Sequence, residues 1–185
     1  MFEIIEGKRL VLRKAKEKDL LDMFEGIWSD EEVYKYLFIT PALTLDEAKI
    51  KLKKTIDYQK DKYAYLVALK ENDEAVGFCG IKEIASRVYM ETGLALSRKV
   101  QGKGLGEELL YLLLEFAYYK LGAYRFIYAH MEHNIRSKNL CLKFGFKHFE
   151  RVDEIRDYDG FDVVCDYYYL DREDYEKEYK YKNKE

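Results

Sequence analysis

The chain has 185 residues, a hydrophobic share of 48% and a net charge of −3. That length fits one domain able to bury a core without metal or disulfide staples, and the small net charge supplies no global basic field for nucleic acid. Three cysteines (Cys79, Cys141, Cys165), odd in number and without a CxxC, read as reduced thiols and not as a disulfide framework or a zinc site. The first ten residues, MFEIIEGKRL, hold no long apolar run. Neither a signal peptide nor a membrane span is therefore predicted, and the expected location is cytoplasmic.

Lys8–Arg13 alternates polar and apolar residues, the pattern of a half-buried strand. Leu20, Phe24 and Ile27 follow at helical spacing. Ser29 with Glu32, and Thr44 with Glu47, have capping-box spacing; the second would open a helix whose apolar face is Leu45, Ala48, Leu52 and Ile56. Two apolar runs, Tyr63–Leu69 and Ala75–Ile84, flank the turn-like Glu71–Glu74 and predict a hairpin. A fourth strand is expected at Val88–Leu96, then a thickly apolar helix ending at Leu121, with Gly122 as its stop. Phe126–Met131 reads as a strand. Asn134 is placed to cap a helix over Ser137–Phe144, stopped by Gly145. Phe146–Ile155 and Phe161–Leu170 predict a last hairpin, and Asp171 should cap a charged terminal helix over 171–185. No linker or repeat divides the chain, so one domain over 1–185 is expected. The unit from Val88 to Met131 predicts one parallel pair in an otherwise antiparallel sheet, an α/β or α+β fold.

Arg98-Lys99-Val100-Gln101-Gly102-Lys103-Gly104-Leu105-Gly106 lies between a strand and a helix. Its glycines allow a tight turn and close approach of backbone amides to a ligand. The helix start adds free N–H groups and the positive end of its dipole, and Arg98, Lys99 and Lys103 add charge. The combination suits a pyrophosphate; the plainer alternative is a glycine-rich turn with no ligand. A Walker loop is excluded, because Gly106 is followed by Glu107 and Glu108 instead of Lys and Ser/Thr. The dinucleotide spacing GxGxxG fails as well, since its third glycine would fall on Glu107.

Gln101–Gly106 resembles the Q/R-x-x-G-x-G/A coenzyme A loop of the GNAT superfamily of N-acetyltransferases. Glu91-Thr92-Gly93-Leu94-Ala95-Leu96 resembles the E-x-G-x-x-L strand of its RimJ/RimL-like branch. Asn134-x-x-Ser137 with Lys143-Phe144-Gly145-Phe146 is similar to that branch's N-x-x-S…K-x-G-F signature, and Arg9-Leu10-Val11-Leu12-Arg13 to its R-L-x-L-R first strand. The pieces keep the family's order over about residues 8–170. The resemblance implies a GNAT-like mixed, mainly antiparallel seven-stranded sheet, with splayed parallel central strands and flanking helices. It also implies acetyl-CoA as co-substrate without a metal. Its pantetheine would meet Leu94, Ala95 and Leu96, and its pyrophosphate Gln101, Gly102, Lys103, Gly104, Leu105 and Gly106, while Asn134 would help hold the pantetheine arm. Ser137 either joins the cofactor site or only packs its helix.

The chemistry needs a neutral amine, a donor for the developing oxyanion and a proton acceptor. Glu91 is the candidate base, because alternation puts it on the face of Gly93 and Ala95; the alternative is a structural carboxylate. His130 and His133 are further candidates. Many relatives carry a tyrosine acid seven residues after the motif asparagine. Here Cys141 stands there, as a substitute acid or as packing. Trp28, Glu31, Glu32, Tyr34 and Tyr36, with Asp166 and Tyr168 opposite, are expected to bind the acceptor, a small amine or a protein N-terminus. No nucleic-acid or membrane partner is expected, and a homodimer is admitted as an assembly. The 18 tyrosines, among them Tyr167, Tyr168, Tyr169, Tyr175, Tyr179 and Tyr181 near the end, read as packing plus a partner surface. The alternative is an aromatic substrate cage.

Overall fold

The computed structural model describes residues 4–180; Tyr181 and the rest of the expected terminal helix lie outside them. In chain order the elements are β1 (Ile5–Glu6), β2 (Leu10–Arg13), α1 (Leu20–Met23), α2 (Glu31–Tyr34), α3 (Leu45–Gln59), β3 (Tyr63–Leu69), β4 (Ala75–Ala85) and β5 (Val88–Leu96). They continue as α4 (Leu105–Glu115), β6 (Arg125–Met131), α5 (Ile135–Lys143), β7 (Lys147–Ile155), β8 (Asp162–Asp171) and α6 (Arg172–Tyr175). The chain divides into two compact units. One holds the chain up to Lys82 together with Thr92–Leu112; the other holds Glu83–Glu91 together with the chain from Leu113.

In the first unit β1 to β4 are neighbours in sequence order and antiparallel. Described residues form eight strands against the seven expected. The extra one is the two-residue β1, which pairs Ile5 with Leu12 and Glu6 with Val11, too short to show an alternation. Met23, Ile27, Trp28, Val33, Leu52 and Leu66 form this unit's core cluster. Thr44 accepts the Glu47 N–H while the Glu47 carboxylate accepts the Thr44 N–H, so the α3 capping box is present. The Ser29 box is not. Asp30 caps α2 by accepting from Glu32 N at 3.1 Å, and Ser29 donates back to the Phe24 carbonyl. The π-helical turn over Phe24–Trp28 takes Ser29 as its C-cap, which leaves Asp30 as the N-cap of α2.

In the second unit the first residues of β5 run parallel to β6, joining Val88, Tyr89 and Met90 to Arg125, Phe126 and Ile127. Beyond β6 the order is β8 and then β7, both contacts antiparallel. The mixed, mainly antiparallel sheet with one parallel pair is therefore present. Tyr118, Phe126, Phe144 and Tyr175 are fully buried, and the Tyr118 hydroxyl donates to the Leu170 carbonyl at 2.8 Å, which satisfies its polar end. Asp171 does not cap α6 with its side chain; both carboxylate oxygens are held by Arg125 at 2.7 and 2.9 Å.

Arg13 at the end of β2 is buried, and so is Asp19. The guanidinium donates to both Asp19 oxygens at 2.8 Å, to the Lys14 and Asp73 carbonyls at 3.1 Å and to the Asp73 carboxylate. Removing one partner of such a pair strands a buried charge, whereas replacing both with apolar groups does not. Arg13→Met is expected to cost about 3–5 kcal/mol in urea unfolding, and Arg13→Met with Asp19→Leu to recover most of it. Equal losses in the single and double variants would show that the pair is not what holds this corner.

Candidate active site

In the first unit β5 ends at Leu96, and a short turn over Arg98–Val100 leads into the glycine segment and α4. Gly102 and Gly104 both sit at φ +75°, a conformation that L side chains rarely adopt. A Cβ at Gly102 would meet nothing within 4 Å, and one at Gly104 only the Arg9 guanidinium at 3.5 Å. The turn is therefore open on its outer side, where a ligand can approach. It is also held from behind. Gln101 Nε2 donates to the Leu96 carbonyl at 2.7 Å, and Arg9 donates to the Lys103 carbonyl at 2.8 Å. Glu108, in the first turn of α4, accepts from Arg9 N, Leu10 N and Arg9 Nε at 2.6, 3.0 and 2.9 Å. These clamps were not read from the sequence; the Glu108 spacing from Gly104 could have been, as an acidic first-turn residue.

The cations of the segment have separate fates. Arg98 pairs with Asp30 at 2.7 Å and Lys99 pairs with Glu74. Both are thereby committed to carboxylates, which leaves Lys103 as the segment's own cation at the loop.

Gly93, at φ +129°, has Phe78 packed 2.8 Å from where a Cβ would stand. The strand β5 runs through this glycine from Val88 to Leu96. Of the three pantetheine candidates, Leu94 is half-buried and Ala95 and Leu96 are buried.

In the second unit Glu91 is half-buried and lies close enough to Tyr128, Cys165 and Tyr167 to disfavour ionisation of each. Burial, aided by Glu91, pushes the Tyr128 phenol well above its ordinary range. Its hydroxyl is 2.8 Å from Ser137 Oγ. Asn134 Oδ1 accepts from Ser137 N at 3.2 Å and so caps α5, as its place before the helix predicted. Ser137 is thus engaged at both its amide and its hydroxyl. Cys141 is fully buried, its Sγ donates to the Lys138 carbonyl at 3.2 Å, and burial pushes its thiol up to about 12.

His133 is exposed, but His130 is buried and stacks on Tyr168 with ring centroids 5.2 Å apart. His130 Nδ1 lies 2.9 Å from the Met131 carbonyl. A carbonyl only accepts, so Nδ1 carries the proton. Nε2 is buried with no hydrogen-bond partner among the described residues.

The acceptor residues are placed differently from expectation. Trp28 is 2% exposed and belongs to the core cluster, so it is not a pocket wall. Glu31 is exposed, Tyr34 and Tyr36 are half-buried, and Glu32 is paired with Lys35 at 2.8 Å. Tyr168 is buried. Asp166 is held down to about 2 by two hydrogen bonds from Arg151, at 2.7 and 2.9 Å, with His148 adding a third at 3.2 Å. Its charge is spent within the fold. A cleft of about 270 Å³ is lined by Asp22, Glu25 and Asp30, with Gly26, Ser97, Arg98 and Lys99. Among the described residues no group of His, Cys, Asp and Glu is placed to hold a metal ion, and no helix is long and apolar enough to cross a membrane.

Comparison with known proteins agrees with this geometry. The profile of a family described as "Acetyltransferase (GNAT) domain" matches residues 9–147. The uncharacterized N-acetyltransferase p20 of Bacillus licheniformis is 32% identical over 126 residues, 66% of this chain and 70% of its own. A GNAT-family acetyltransferase structure from Bacillus anthracis superposes with a TM-score of 0.78 at 20% identity, covering 92% of this chain and 99% of that one. RimL, a ribosomal alpha-N-protein acetyltransferase solved in complex with coenzyme A, superposes with a TM-score of 0.72 at 18% identity, over 91% and 98%. At such identities the superpositions speak for the fold alone. The family match spans most of the chain, and the chain belongs to the GNAT acetyltransferases.

Proposed function

We propose that the protein is a cytoplasmic, RimJ/RimL-like N-acetyltransferase, one functional domain that passes the acetyl group of acetyl-CoA directly to a primary amine. The acceptor class is a protein N-terminus, a polyamine or another small amine. The observation that carries the reading is the clamped turn at the start of α4, with Gly102 and Gly104 at positive φ and open on one side. Amides of Gly102, Gly104, Leu105 and Gly106 would hold the pyrophosphate, aided by Lys103 and the helix dipole. The strand residues Leu94, Ala95 and Leu96 would meet the pantetheine.

A primary amine near pKa 10 arrives charged at neutral pH and has no lone pair until it loses a proton. Glu91 would take that proton through a water, and His130 Nε2 is the second candidate because it is the buried nitrogen without a partner. Cys141 is assigned to packing. A thiol at about 12 would give up its proton to a thiolate of reference pKa 8.5 only against about 5 kcal/mol. That substitution also supports a second reading, a domain that binds acyl-CoA or docks a partner without turnover.

Acetyl-CoA at about 100 times its Kd should stabilise the fold by about 2.7 kcal/mol, a rise in Tm of about 5–10 °C, with NAD and ATP giving much less. Gly104→Val should remove that rise, because valine cannot adopt φ +75° without strain. An equal response to NAD would sink the assignment. Release of free coenzyme A in the presence of an amine panel separates the enzyme from the sensor.

Glu91→Gln should lower kcat/KM at neutral pH by about 10²-fold or more, with partial recovery as pH nears the pKa of the amine and coenzyme affinity unchanged. Wild-type rates across that range would move the base to His130. Cys141→Ala should leave kcat within about tenfold and mainly lower Tm. A loss of three orders of magnitude with coenzyme still bound would restore Cys141 as the acid.

A further inference from the structure

In the first unit β4 is bare where it meets β5. A Cβ at Gly77 would stand 2.1 Å from the Ala95 carbonyl oxygen, and one at Gly80 would stand 2.5 Å from Thr92 Oγ1. Between these two glycines β4 carries Phe78 and Cys79, which alternation sends to opposite faces. Cys79 is buried. Phe78 is only half-buried, so the fold leaves part of its ring uncovered.

The ring stands against a third bare position. Phe78 Cε2 lies 2.8 Å from where a Cβ on Gly93 would be, and Cζ and Cδ2 of the same ring follow at 3.7 and 3.8 Å. Phe78 thus occupies the space that a side chain at position 93 would fill. Behind it the ring packs against the core cluster of Met23, Ile27 and Trp28, to which Ala95 also belongs. A ring backed by close-packed core has little room to retreat.

The place matters for the coenzyme. With the pyrophosphate at Gln101–Gly106 and the pantetheine at Leu94–Leu96, the coenzyme runs backwards along the chain, and its acyl end comes next, at Gly93. We infer that Phe78 is the end wall of the acyl pocket and sets the length of the acyl group that the protein accepts. The inference rests on the coenzyme reading above. Acetyl stops short of the ring, whereas each added methylene is pushed into a packed wall, which costs as overpacking does. Phe78 is a specificity-determining residue in this assignment and touches no proton.

The test is isothermal titration of acetyl-, propionyl- and butyryl-CoA, and of free coenzyme A, with no amine present. Wild-type protein should bind acetyl-CoA about tenfold or more tighter than butyryl-CoA, with propionyl-CoA between them. Phe78→Val should bring the acetyl and butyryl affinities within about threefold of each other, with the affinity for free coenzyme A unchanged. Because that variant also thins the core, Phe78→Leu is measured beside it, and a cooperative circular dichroism melt confirms the fold of each. Phe78→Leu should give an intermediate ratio. A ring that only packs the core would lower Tm in both variants and leave the butyryl-to-acetyl ratio at its wild-type value, which overturns the inference. Equal binding of acetyl- and butyryl-CoA by wild-type protein overturns it as well. Failure of wild-type protein to bind any of the four compounds would instead overturn the coenzyme reading, and this inference with it.

Discussion

The carboxylate of Glu108 is the constraint on which the coenzyme segment depends. It accepts two backbone N–H groups at the start of β2 and the guanidinium of Arg9. Burial alone would raise its pKa, yet the balance of these donors holds it below the ordinary carboxylate value. Charge-assisted bonds of this kind are about twice as strong as neutral ones. As an ion pair Arg9–Glu108 would count for little, because Arg9 is half exposed. Its weight comes from geometry: one carboxylate ties the first turn of α4 to a strand, and the same arginine fixes the Lys103 carbonyl between the two glycines. A loop free to collapse would lose the aligned amides that an anion needs.

Charge is spent economically around that loop. Of the three cations beside the glycines, Arg98 and Lys99 bind carboxylates of the fold, so amides and the helix dipole carry more of the proposed phosphate recognition than residue counting suggests. Likewise Asp166, which looked like an acceptor-binding acid, is paired with Arg151 and hydrogen-bonded to His148. Among the described residues Asp22 and Glu25, earlier in the chain, line a cleft and form no ion pair.

The strands were read well because period and apolarity report burial directly: β3 and β5 have the bounds that their residues predicted. The capping roles of Thr44 and Asn134 were equally local and equally readable. What escaped was decided by partners distant in sequence or by backbone irregularity. Trp28 has the character of a pocket aromatic, but the π-helical turn that carries it directs it into the core. Ser29 has the spacing of a cap, yet the same turn gives that role to Asp30. The Nε2 of His130 became notable only once its other nitrogen was seen bonded to a backbone carbonyl.

The central claim is that the amides between Gln101 and Gly106 hold the pyrophosphate of acetyl-CoA, and hydrogen exchange at those amides tests it most directly. On adding acetyl-CoA, exchange should slow most over Gly102–Gly106, and S-acetylpantetheine, which lacks the pyrophosphate, should leave those amides unprotected. Protection confined to other segments, or equal protection of this one by the pantetheine thioester alone, would contradict the account.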